Sequence, residues 1–183
     1  MTLRPLRYLG DPLLRTRCEP VTRFDDSLAR LVEDLLETVR EPGRAGLAAN
    51  QIGSTLAVFS YNVDEAFGYL VNPEIVELGS DTEEELEGCL SVPGVTAVRR
   101  RATRAVAIGV DVRQDPVTVA STGALARCLQ HETDHLRGEL FIDKLDADER
   151  RRVMRQVRGQ WPPPGRYKSA GMRRRPANPY ATG

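Results

Sequence analysis

The sequence predicts an α+β domain in which mixed or antiparallel sheets pack around one central helix. Three observations carry that expectation. Apolar residues recur at helical spacing over 26–40 and again over 123–140. Short apolar runs bounded by turn residues lie between these stretches, as strands of a sheet would. Both histidines of the chain fall in the second helical stretch, which makes that helix the place to look for chemistry.

In the first helix, Leu28, Leu31, Val32, Leu35, Leu36 and Val39 form one apolar stripe. Asp25 or Asp26 can cap its start, and Pro42-Gly43 ends it. Arg44 to Gly53 (RAGLAANQIG) is small and glycine-flanked, and Leu56 to Tyr61 reads as a strand. Tyr69-Leu70-Val71 runs into Asn72-Pro73, after which Ile75-Val76 continues extended. Glu83-Glu84-Glu85 is an acidic run just ahead of Glu87 to Gly94. Ala105 to Asp111 and Val117 to Ala120 read as strands joined by a turn around Gln114-Asp115-Pro116. In the second helix Leu125, Leu129, Leu136 and Leu140 are expected as the buried stripe. From Trp161 onward Pro162-Pro163-Pro164, Gly165, Gly171, Pro176 and Pro179 interrupt any helix, and Arg173-Arg174-Arg175 adds a basic cluster. A folded domain over 1–160 and a flexible Pro/Arg-rich tail over 161–183 are therefore expected.

At 183 residues the chain fits one domain plus a tail. A domain of that size buries roughly 70% of the surface its unfolded chain exposes, enough for a core without disulfides. The 26 basic and 26 acidic residues cancel, so overall charge gives no reason to expect DNA as a partner. No run approaches the ~20 apolar residues of a membrane span, and Met1 to Gly10 does not read as a secretory signal. A cytoplasmic protein with reduced thiols is expected, because its three cysteines cannot all pair.

The strongest signal is His131-Glu132-Thr133-Asp134-His135. Residues four apart on a helix share a face, with Cβ atoms about 5–6 Å apart, so two imidazoles can converge on one metal ion. The intervening Glu132 then sits beside the open coordination position. A hydrolytic metal site needs a third protein ligand. No histidine follows His135, which leaves Asp143, Asp146, Asp148 and Glu149 downstream or Cys89 upstream. Cys18 and Cys128 read as small buried hydrophobes.

Three segments together resemble the signatures of the peptide deformylase family: Gly46-Leu47-Ala48-Ala49-Asn50-Gln51, Glu87-Gly88-Cys89-Leu90-Ser91, and Gln130-His131-Glu132-Thr133-Asp134-His135. The resemblance runs from about Pro5 to Leu145. It implies that 1–160 is the catalytic domain of an iron-dependent metallohydrolase, with one Fe2+ held by Cys89, His131 and His135; zinc or another divalent metal also suits the donors. It implies removal of the formyl group from N-formyl-methionyl nascent peptides by metal-activated water. Glu132 is the implied general base, and the Gln51 amide and the Leu90 N–H are donors to the formyl oxygen. Ala45, Gly46, Gly88, Leu125 and Cys128 are expected around the methionine side chain. Glu87, alongside Arg101, is expected to accept the second N–H of a ligand histidine.

Two positions depart from the family pattern. Arg44 stands where glycine is usual, which puts the loop's shape in question and points a charge at the cleft mouth. Thr96 stands where an arginine is usual. Basic residues at the C-terminus, Arg150-Arg151-Arg152, Arg155, Arg158 and those of the tail, suggest contact with the ribosome. The competing expectations are a peptidase using the same helix, and a deformylase relative that has lost catalysis and only binds.

Overall fold

A computed structural model describes residues 4–160; the expected tail over 161–183 lies outside the described residues. Helix α1 spans Asp26–Val39. Its start is fixed by Asp25, whose carboxylate accepts from the Ser27 N–H at 2.9 Å and the Leu28 N–H at 3.4 Å, satisfying donors that a helix terminus leaves open. The stripe Leu28, Leu31, Val32, Leu35 and Val39 is buried against Leu47, Ile52, Val58 and Val71.

Strands β1 (Gly46–Ala48), β2 (Val58–Val63), β3 (Ala66–Leu78), β6 (Arg104–Val110) and β7 (Pro116–Thr122) form one sheet in the order β1-β2-β3-β6-β7. Every neighbouring pair is antiparallel. Asn72-Pro73 does not divide β3. Asn72 adopts a left-handed conformation at φ 52, and its side chain bonds both the N–H and the carbonyl of Val21, at 2.7 and 2.9 Å. The register shifts there, between Val71 and Glu74, and the strand resumes.

A second sheet is the antiparallel pair β4 (Thr82–Cys89) and β5 (Val92–Ala102). The acidic run therefore belongs to a strand. Glu83, Glu84 and Glu85 lie opposite Arg101, Arg100 and Arg99; of these register pairs Glu84 and Arg100 form an ion pair at 2.7 Å, and an opposite-charge pair across two strands supports their pairing. In β5, Val95, Ala97, Arg99 and Arg101 alternate inward. The usual apolar alternation is disguised because two of its inward positions are arginines.

Helix α2 covers Gly123–Leu136, four residues shorter than the expected 123–140. Gly138 ends it at φ +77, its N–H donating to the His135 carbonyl at 3.0 Å. Leu140 is buried as expected, but beyond this turn, in a cluster with Val92, Val95, Phe141 and Ile142. Helix α2 meets strands of both sheets, and its second half is buried from Cys128 to Leu136. The segment Ala147–Gln160, read from sequence only as a basic run, is a third helix, α3. It rests on β5 through Val153, Met154 and Val157.

The turn after α2 yields a prediction. A Cβ on Gly138 would lie 2.8 Å from the Arg15 carbonyl oxygen, whereas one on Gly123, also at positive φ, would meet nothing within 4 Å. Each Ala substitution carries the left-handed cost of about 1–3 kcal/mol. In denaturant unfolding Gly138→Ala should lose more stability than Gly123→Ala; equal losses would contradict the packing described.

Candidate metal centre

The helical periodicity that buries α2 also carries His131 and His135 inward, with ring centroids 4.9 Å apart at 66°. Cys89 arrives from the other sheet, as the last residue of β4 before a tight turn through Leu90 and Ser91. Its Sγ lies 3.2 Å from His135 Nε2. One atom each from Cys89, His131 and His135 fall within 4.8 Å of one another. Asp143, a downstream alternative as third ligand, is instead held by Arg15 and accepts from the Leu140 N–H at 2.7 Å.

The ligand set is oriented from behind. His131 Nδ1 lies 2.7 Å from Glu87 Oε1. A carboxylate can only accept, so Nδ1 donates to it, and Nε2 is the ring atom that a bound ion would take in place of a proton. Arg101 grips Glu87 with two bonds, at 2.9 and 2.7 Å, and reaches Asp134 with a third at 2.6 Å. Burial opposes charge on Glu87, but hydrogen bonds from Arg101 and His131 hold its carboxyl well below the usual carboxylate range. On His135 the Asn50 side chain donates to the backbone carbonyl at 2.6 Å.

Around the sulfur, the Ser91 N–H points at Cys89 Sγ from 3.3 Å. Gln51 Nε2 lies 3.7 Å from the same sulfur and donates to Ser91 Oγ at 3.1 Å, while Gln51 Oε1 accepts from the Ala48 N–H at 2.8 Å. The amide's orientation is thereby fixed. Burial keeps His135 well below the ordinary imidazole range, hence neutral. Burial also works against charge on His131, but the acceptors Cys89 and Glu87 on either side outweigh it and raise its pKa well above usual. A thiol sulfur and two imidazoles that converge on one point fit a divalent cation.

Glu132 is 3% exposed, and its Oε2 has no hydrogen-bond partner among the described residues. Burial raises its pKa to about 7. The opposite wall is Gly46, where a Cβ would fall on Glu132 Oε1 and within 2.7 Å of Cys128 Sγ. Glycine there is a requirement of close approach.

A cleft of about 680 Å³ opens onto these groups, lined by Ala45, Gly46, Gln51, Gly88, Leu90 and Cys128 as well as Cys89, His131 and Glu132. Leu125 does not line it. That side chain packs with the core cluster around Phe59 and Leu129, and Ala124 and Arg127 occupy the helix face toward the cleft. Arg44 does not put a charge at the mouth: it turns back to donate to the Thr38 carbonyl at 2.7 Å. Its backbone has negative φ; Gly43 supplies the left-handed residue at φ +79. Thr96 lies on the cleft wall. Asn50, Ser91 and Asp134 also support the site; the sequence gives none of them a separate role, although each lies within one of the three signature segments.

The sequence matches the family described as polypeptide deformylase over residues 3–151. It is 49% identical over 162 residues to a peptide deformylase of Acidothermus cellulolyticus, covering 88% of this chain and 89% of that one. It is 47% identical to a peptide deformylase 2 of Streptomyces coelicolor, covering 87% and 92%. Among solved structures, a peptide deformylase from Legionella pneumophila superposes with a TM-score of 0.81 at 37% identity, covering 86% of this chain and 95% of that one. One from Ehrlichia chaffeensis in complex with actinonin gives 0.82 at 32% identity, covering 88% and 99%.

Arg101 is the keystone of the buried network, which sets a prediction. Arg101→Met leaves Glu87 and Asp134 buried without their shared partner, and breaking a buried pair this way costs about 3–5 kcal/mol. Arg100→Met, at an exposed position, should stay within about 0.5 kcal/mol of the parent. Urea unfolding of the two variants checks the difference; a loss at Arg101 no larger than that at Arg100 would contradict the role given to it.

Proposed function

The chain belongs to the polypeptide deformylase family, and on that footing we propose that it removes the formyl group from N-formyl-methionyl peptides of nascent proteins. The observation that carries the proposal is the convergence of Cys89, His131 and His135 beside a buried Glu132 with a free carboxylate oxygen. We assign Fe2+ as the resident ion, with the three converging side chains as its ligands. The donor set alone suits zinc equally; iron follows the family. When bound, the ion acidifies water and draws electron density from the formyl oxygen.

The chain's own residues do the rest. The peptide lies in the cleft with its methionine side chain among Ala45, Gly46, Gly88 and Cys128. The Gln51 amide and the Leu90 N–H are the donors for the formyl oxygen as negative charge develops there. Glu132, with its pKa raised to about 7 by burial, can hold a proton and release it near neutrality. It takes a proton from the attacking water as the C–O bond forms. It then hands that proton to the departing nitrogen as the C–N bond breaks, giving formate and a free amino terminus.

Among the described residues no helix is long and apolar enough to cross a membrane, and the cytoplasm, where nascent chains emerge, is the compartment this reading assigns. Arg150, Arg151, Arg155 and Arg158 are exposed on α3, which supports contact with ribosomal RNA phosphates.

Base and ligand are separable by mutation. Glu132→Gln keeps the shape but cannot take the proton, so formate release should fall by about 10²–10⁴-fold while metal content stays near the parent's. Cys89→Ala should lose metal and activity together. Near-parent turnover in Glu132→Gln, or metal loss there equal to that of Cys89→Ala, would contradict the assignment.

A further inference from the structure

A second cavity, of about 690 Å³, lies on a different face of α2 from the cleft, between the two sheets. Its lining carries five cationic side chains (Arg99, Arg100, Arg101, Arg137 and Lys144) against two acidic ones, Glu77 and Asp134. Most of these charges are engaged. Arg101 is saturated by Glu87 and Asp134, Lys144 reaches Asp134 and Glu139, Arg100 reaches Glu84, and Glu77 is held by Arg104. Glu85, opposite Arg99 in the strand register, is taken by Arg127.

That leaves Arg99 and Arg137, neither of which has a carboxylate partner among the described residues. Arg99 is the telling one. It is 9% exposed, its Nε has no hydrogen-bond partner among the described residues, and its one side-chain bond is a 3.3 Å contact from Nη1 to the Lys144 carbonyl. Buried guanidinium groups are ordinarily paired, because an uncompensated charge away from water is costly. The planar donor fork suits phosphate and carboxylate oxygens. Arg137, exposed at the end of α2, reaches the same space from the helix side. The other wall is apolar: Ile75, Val76 and Leu78 of β3, the last two 51% and 53% exposed.

From the unpartnered buried Arg99, the second arginine and the apolar wall, we propose that this cavity binds a small phosphate-bearing molecule. Its phosphate lies between Arg99 and Arg137, and any apolar group it carries lies against β3. The volume is within the range of small-molecule sites, about 300–1,000 Å³. The site is separate from the deformylation cleft, and its reading does not depend on the activity assigned to that cleft.

The test is calorimetric titration of the metal-loaded full chain with inorganic phosphate and with phenyl phosphate, in the parent and in Arg99→Met and Arg137→Gln. Saturable one-site binding is expected in the parent. It should weaken by about tenfold or more in each variant, the effect of losing a charged hydrogen bond. Tighter binding of phenyl phosphate identifies an ester as the ligand class; equal affinities identify free phosphate. Thermal melts give a second readout: phosphate should raise the parent's melting temperature and leave that of Arg99→Met unchanged. Without phosphate, Arg99→Met should be at least as stable as the parent, since an unpaired buried charge is gone. Should Arg99→Met fail to fold, Arg137→Gln alone decides. No saturable binding in the parent, or unchanged affinity in the variants that fold, overturns the proposal; phosphate captured at the metal centre would give that second result.

Discussion

The three-way contact of Arg101 with Glu87 and Asp134 holds the molecule's two halves in register. Glu87 belongs to the β4–β5 hairpin and Asp134 to the helix carrying both histidines, so one buried guanidinium ties the sheet that supplies the sulfur to the helix that supplies the imidazoles. Such a contact adds little net stability, because removing three charges from water offsets most of their attraction. What it supplies is position. Arg101 fixes the Glu87 carboxylate that meets His131 Nδ1 at 2.7 Å. Arg127 and Lys144 then spread further positive charge over the same two carboxylates.

The rest of the site follows from how closely the backbone can approach. Gly46 brings β1 against Glu132 and Cys128 at a distance no side chain would allow. The same strand leads into Ala49–Ile52, whose Asn50 and Gln51 reach the His135 carbonyl and the surroundings of the sulfur. Gly46, Cys128 and the α2 backbone crowd Glu132, leaving it buried at the inner end of the cleft. The raised pKa of that carboxyl is a consequence of this enclosure.

Much of this was legible in the sequence because it is local. Helix α1 announces itself by its stripe and its Asp25 cap, and the spacing of His131 and His135 fixes their common face whatever surrounds them. The hairpin was not legible: its inward positions include Arg99 and Arg101, so hydropathy does not alternate, and its acidic strand looks like a loop until the arginines opposite are known. The end of α2 was misjudged because Leu140 keeps the helical spacing, although Gly138 breaks the helix before it. Leu125 lies one residue from the cleft-facing Ala124; on a helix one residue is 100° of rotation, enough to move a side chain from cleft to core. Arg44 shows that glycine's place in a loop can be taken over by its neighbour, here Gly43.

The central claim is that this metal centre hydrolyses a formamide and spares the peptide bonds beyond it. It is tested most directly by incubating the full chain, loaded anaerobically with ferrous ion, with an N-formyl-methionyl tripeptide, and following both the peptide by mass spectrometry and the formate released. The account predicts formate in equal amount to a tripeptide that has lost only its formyl group. Cleavage at an internal peptide bond, or no formate from protein carrying one equivalent of iron, would contradict it.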